Sequence, residues 1–152
     1  MHNLDNQRTI IEEELRKHGS YASTTRGFSM QPLFKTGRDV VIIKKPCGEL
    51  KKYDVALYHG RNGSYVMHRV IRVLDNEYII RGDNTFINEH VPKDSIIGVL
   101  TEFNRKGKKY TVNDRAYRIY SVIWTFIYPV RLIKYKLRRL AGKIYRKVFK
   151  RR

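Results

Sequence analysis

The sequence is poor in cysteine, in acidic residues over its last quarter, and in long apolar runs. Its single cysteine, Cys47, has no partner for an internal disulfide. That excludes a disulfide-stapled secreted scaffold and fits a reducing compartment. Nothing resembles a cysteine-based metal site, and no metal or other cofactor is expected. The N-terminus, MHNLDNQRTIIEEELRKHG, lacks an apolar run and carries three consecutive glutamates, so no secretory signal is expected there. The uncharged run IYSVIWTFIYPV, residues 119–130, stops after twelve residues between Arg118 and Arg131. A spanning helix needs about twenty apolar residues.

What is present in excess is positive charge. The 152 residues carry 32 Lys and Arg against 14 Asp and Glu, a net charge of +18. From Arg115 onward there are thirteen basic residues and no acidic one, whereas the first 114 residues are near balance. The chain is long enough for one domain with a real core. It divides into an amphipathic N-terminal helix (1–20), a β-rich domain (21–112) and a basic, partly apolar helical tail (113–152). Leu4, Ile11 and Leu15 share one side of the first helix, with Asp5 as a candidate N-cap and Gly19 as its stop. Truncation after Val112 is expected to leave the β-domain intact.

Between Thr24 and Val112 the pattern is that of strands. The stretches DVVIIKK (39–45), YDVALYH (53–59), SYVMHRVIRV (64–73), EYIIRG (77–82) and SIIGVLTEF (95–103) are rich in Val, Ile and Tyr, and turn residues separate them. GRNGS and LDNE read as hairpin turns. With no helix long enough for a crossover, the sheet is expected to be mainly antiparallel and coiled, with helices at both ends.

RGFSMQP, residues 26–32, sets Ser29 on a bend between Gly27 and Pro32. Such a serine is either a plain turn residue or a nucleophile held rigidly, and a base decides between them. His2, His18, His59 and His90 lie in or near the first helix or in turns. His68 sits inside a strand, where a histidine on an apolar face is more often structural than catalytic. RGDN (81–84) closes the next strand, so a hairpin at LDNE would bring Asp83 to the sheet that carries His68. A serine, a histidine base and an acidic orienter are the parts that nucleophilic acyl transfer requires.

The order and spacing of these pieces resemble the type I signal peptidase family, in particular its archaeal and endoplasmic-reticulum branch, which uses histidine as the base. The resemblance runs from about Arg26 to Val99. It includes GRDVVIIKK, YDVALY and IIGVL as echoes of the family's strands. The resemblance implies Ser29 as nucleophile, His68 as general base and Asp83 as the acidic residue. It further implies Gly27, Met30, Pro32, Arg69, Gly82 and Asn84 as residues shaping the turns and the substrate groove. The implied fold is the coiled antiparallel β-domain shared with LexA-like self-cleaving repressors. The implied reaction is peptide-bond hydrolysis through an acyl-enzyme, on signal- or leader-peptide-like substrates. Two departures stand out. Gly27 replaces a serine that can help bind the oxyanion, and Tyr53 replaces the glycine that usually precedes Asp54. No N-terminal membrane anchor of the family's kind is seen, which leaves the usual substrate and location open.

Beyond Pro129 the tail reads as an amphipathic helix, with Ile133, Leu137, Leu140, Ile144 and Val148 recurring at three- and four-residue spacing. Residues 116–152 are therefore expected to lie on an anionic membrane surface, most simply the inner, cytoplasmic face. A single C-terminal span over 116–133 is the alternative. Nucleic acid is a weaker candidate partner, because no base-reading motif accompanies the charge. A non-enzymatic membrane- or nucleic-acid-binding module that keeps the fold competes with the peptidase reading. A LexA-like self-cleaving regulator is a third reading. Oligomeric state is not legible.

Overall fold

The computed structural model describes residues 2–149, with side chains from Ile10 to Arg146. Helix α1 (His2–His18) leads into β1 (Ser20–Thr24), β2 (Val40–Lys44), β3 (Val55–His59), β4 (Tyr65–Val73), β5 (Glu77–Arg81) and β6 (Glu89–Pro92). A single 3-10 turn, Lys93–Ser95, precedes β7 (Ile96–Arg105) and β8 (Lys108–Thr111), and the chain ends in α2 (Arg115–Phe126) and α3 (Tyr128–Phe149). The strands form one antiparallel sheet in the order β1-β2-β7-β3-β4-β5-β6, with β8 paired to β7. The hairpins at GRNGS and LDNE form as expected, joining β3 to β4 and β4 to β5.

Apolar clusters lie on both faces of the sheet, and central strand β3 is buried at four of its five residues, so it reads as a continuous apolar run. One face packs Leu33, Phe34, Val41, Ile43, Val55 and Phe103. The other packs Ala56, Tyr58, Val70, Tyr78, Ile80 and Val91. Register shifts within the β2–β7, β3–β7 and β4–β5 pairs mark bulges, which add local twist and coil the sheet. Helix α1 seals one end through Leu15, only 1% exposed, and through Glu12, whose carboxylate meets His59 Nε2 at 3.0 Å. Gly19 stops the helix with φ of +70°, its N–H donating to the Leu15 carbonyl. The helix begins at His2, so Asp5 lies inside it rather than at its cap; the side chains of Leu4 and Asp5 fall outside the described residues.

Strands β1, β6 and β8 were not legible in the sequence. SYAST, EHVP and KKYT carry few strand-forming residues and depend on pairing with β2, β5 and β7.

The tail does not separate cleanly at Val112, contrary to expectation. Tyr117 on α2 belongs to the core around Phe103, and Ser121 is 1% exposed. Removing α2 would open that core, so truncation there destabilises the domain. The helix breaks near Ile127, and Pro129 falls in the first turn of α3, where its missing N–H leaves no intrahelical bond unmade. Among the described residues, no helix is long and apolar enough to cross a membrane.

Candidate active site

Strand β4 is the pivot of the site. Its adjacent residues His68 and Arg69 are both buried, and strand alternation sends them to opposite faces. On one face the His68 Nδ1 lies 2.8 Å from a Glu89 carboxylate oxygen and 3.1 Å from the Tyr58 hydroxyl. An ionised carboxylate only accepts, so Nδ1 carries the proton and donates it to Glu89. The lone pair of the neutral ring is then on Nε2, the nitrogen a general base needs.

The Nε2 edge of the ring lies against Gly82, and so does the Ser29 carbonyl. A Cβ added to Gly82 would stand 2.9 Å from Nε2 and 2.8 Å from the Ser29 carbonyl oxygen. Glycine is required here for space, and it brings the imidazole edge within one residue's width of the Ser29 backbone. The serine bend and the GDN turn are laced together. The Asn84 N–H donates to the Ser29 carbonyl at 2.6 Å, and Asn84 Nδ2 donates to the Phe28 carbonyl at 3.2 Å. Met30, 6% exposed, plugs the bend into the core beside Leu33 and Phe34, while Pro32 stays exposed. Gly27 has φ of +75°, a left-handed conformation that disfavours any residue with a Cβ. Ser29 is half-buried, and among the described residues neither its hydroxyl nor its N–H has a hydrogen-bond partner.

On the other face, Arg69 and Asp83 form a bidentate ion pair, with Nε to Oδ1 and Nη2 to Oδ2 both at 2.8 Å. The remaining Arg69 nitrogen donates to the Tyr53 carbonyl at 3.0 Å, the Tyr117 hydroxyl at 3.3 Å and Ser121 Oγ at 2.8 Å. Tyr120 donates to Asp83 Oδ2 at 2.9 Å, Trp124 Nε1 donates to the Asp83 carbonyl at 2.8 Å, and Arg131 donates to that same carbonyl. Helix α2 thus clamps the GDN turn from behind.

The sequence pointed to Asp83 as the orienter of the imidazole, but the carboxylate hydrogen-bonded to His68 is that of Glu89. The cause is the two-residue period of β4, which gives Asp83 to Arg69 and turns His68 to the face where β6 begins. Glu89 was hidden in a stretch that reads as loop. Its one sequence signal is that it is the first carboxylate after Asp83. The other described histidines are engaged elsewhere, His18 near Glu14, His59 on Glu12 and His90 on Glu77. The side chain of His2 falls outside the described residues.

Burial pushes His68 below the ordinary histidine range, opposed first by the charge and hydrogen bond of Glu89 and more weakly by Asp83. The imidazole is therefore neutral near neutral pH, as proton abstraction requires. Burial also pushes the Tyr58 hydroxyl up, so it remains a phenol beside the ring. For Arg69, burial works against the charge, but the hydrogen bonds and charge of Asp83 outweigh it and hold the guanidinium protonated.

No protein-family model and no curated protein matches the chain. Tyr53, the residue before Asp54, has φ of +83° in a turn closed by the Asp54 N–H on the Lys51 carbonyl. A non-glycine residue held there stores strain of about 1–2 kcal/mol.

Proposed function

We propose that this protein is a serine endopeptidase of the signal-peptidase type, built on a LexA-like coiled sheet. The carrying observation is the placement of His68: Nδ1 is held by Glu89, and the Nε2 edge abuts Gly82, the residue that the Ser29 carbonyl also approaches. In this mechanism the Ser29 hydroxyl attacks the scissile carbonyl and passes its proton to His68 Nε2. The Glu89 carboxylate holds the ring at Nδ1 and stabilises the imidazolium. The Ser29 N–H, free of other partners among the described residues, is the first oxyanion donor. His68 then protonates the leaving amine, and water hydrolyses the acyl-enzyme by the same route in reverse. Asp83 and Arg69 hold the GDN turn in place rather than touching the reacting atoms.

The tail supports attachment of this enzyme to an anionic membrane surface. Ile119, Ile123, Phe126, Val130, Ile133, Leu137, Leu140 and Ile144 are all exposed and follow one another at three- and four-residue intervals across α2 and α3. A stripe this long on a helix pair is unusual unless something apolar covers it. Its cationic surroundings, with no acidic residue after Asp114, favour anionic lipid over a second copy of the same basic helix. The inner face of the membrane is the proposed location.

The test is labelling by a serine-reactive phosphonate, followed by a search for peptides that accumulate uncleaved when Ser29→Ala replaces the parent in cells. Labelling of the parent and not of the variant, together with accumulating peptides, is the expected result. Equal cleavage by Ser29→Ala would remove Ser29 as the nucleophile.

A further inference from the structure

Beyond its first two turns α3 stands away from the sheet, and its two sides differ. The exposed apolar stripe of Ile133, Leu137 and Ile144 occupies one side, with Leu140 on the border that it shares with the groove. The other side faces the chain that follows the GDN turn and forms with it a groove of about 1150 Å³. Arg131, Lys134, Lys136, Arg138, Arg139 and Lys143 line this groove, and no carboxylate does. Its inner end is aromatic: Phe86 stacks on Tyr135 at 4.3 Å between ring centres, and Trp124 lies under Arg131 at 4.0 Å. Gln31, Pro32 and Asn84 close the groove where it meets the Ser29 bend.

Of the six cations, Arg131 is tied to the GDN turn, whereas Lys134, Lys136, Arg138 and Lys143 have no carboxylate partner among the described residues. Charges of one sign gathered along a concave wall focus their field into the groove. A flat bilayer reaches the apolar stripe on the convex side, but the groove admits an extended chain. From Arg131 to Lys143 the helix rises about 18 Å. An extended peptide covers that length in about five residues.

We infer that the groove is a substrate subsite that binds an acidic stretch of about five residues next to the cleaved segment of the peptide. The subsite places those carboxylates along α3 while the scissile bond lies at Ser29. Selection is then set by charge at a distance from the reacting atoms, and it acts on substrate binding more than on the chemical step. This assignment rests on the peptidase reading of Ser29 and His68.

The experiment uses the full chain carrying Ser29→Ala and a fluorescent peptide with a block of five glutamates beside a candidate cleavage segment. A peptide with glutamine in place of each glutamate is the control. Fluorescence anisotropy should give about tenfold or greater preference for the glutamate peptide, because several partly exposed ion pairs act together. The preference should shrink as salt rises from about 50 mM to about 500 mM, as the Debye length shortens. Charge reversal by Lys134→Glu, Arg138→Glu and Lys143→Glu, all at exposed positions, should erase the preference while leaving the glutamine peptide and the circular dichroism unchanged.

In the active chain the same comparison should appear in KM with kcat nearly constant. Equal affinity for the two peptides overturns the inference, as does a preference that survives charge reversal. If charge reversal abolishes binding to vesicles of phosphatidylcholine and phosphatidylserine but spares the peptide preference, the cations serve lipid and the inference fails. Preferential binding without cleavage of either peptide by the active chain would sink the peptidase reading and leave the acidic-peptide groove standing. Cleavage without preference would do the reverse.

Discussion

Replacing Asp83 with alanine would strand the Arg69 guanidinium inside the protein. Arg69 is 0% exposed, and Asp83 takes hydrogen bonds from two of its three nitrogens. The third nitrogen would keep the Tyr53 carbonyl, Tyr117 and Ser121, which are dipoles and do not neutralise a charge. Removing one partner of a buried ion pair costs about 3–5 kcal/mol, because the remaining ion stays desolvated and uncompensated. The Tyr120 hydroxyl also loses its acceptor, which adds about 1 kcal/mol. That is a large share of a total stability of about 5–15 kcal/mol. At about 2–4 °C per kcal/mol for a chain of this size, the melting temperature should fall by about 8–24 °C. Urea and thermal unfolding followed by circular dichroism measure this directly. The double variant Arg69→Met with Asp83→Leu should recover most of the loss, because it removes the stranded charge as well. An Asp83→Ala protein within about 1 kcal/mol of the parent would refute the reasoning and return Asp83 to the list of possible orienters of His68.

Glu89→Gln should leave stability nearly unchanged but lower kcat/KM by about 10²–10⁴-fold, because an amide can hold the wrong imidazole tautomer and cannot stabilise the imidazolium; unchanged kinetics would discard Glu89 as a positioning residue. In the parent, kcat/KM should rise with pH through one ionisation below about 6.5, the ordinary histidine value, since burial depresses His68. Stability should follow the same sense: between about pH 6.5 and the lower folded value the unfolded chain holds more protons, so stability is lost as pH falls through that window. Activity rising only above about pH 8.5 would point to a lysine base instead. Gly82→Ala should cost about 1–3 kcal/mol and most of the activity, because its Cβ meets a backbone carbonyl and an imidazole ring, neither of which can swing aside; a fully active variant would mean that Nε2 does not face Ser29. Removal of the chain after Lys136 takes away eight basic residues but leaves Tyr117, Ser121, Trp124 and Tyr128 in place. It should spare the melting temperature and abolish sedimentation with anionic vesicles, and equal sedimentation of the two proteins would exclude the tail as the membrane anchor.

The sequence by itself determined the parts of this protein that repeat or punctuate. The strands from Val40 to Arg105 that carry Val, Ile and Tyr were legible, because each is a short stretch rich in those residues between turn residues. So were the two hairpins and the helix stop at Gly19, which depend on local backbone preference alone. The Ser29 bend, His68 and the GDN turn were legible as pieces, from residue type and spacing. Tertiary structure decided how they meet. Strands β1, β6 and β8 exist through pairing, since their own residues have little strand preference. Glu89 reaches His68 because β6 adds to the edge of β5. Asp83 turns away because Arg69, one residue after the histidine, points to the opposite face. The tail showed its charge and its apolar stripe in one dimension. That its first helix locks the GDN turn from behind, through Tyr120 and Trp124, depends on contacts spanning about forty residues of chain, which no local pattern encodes.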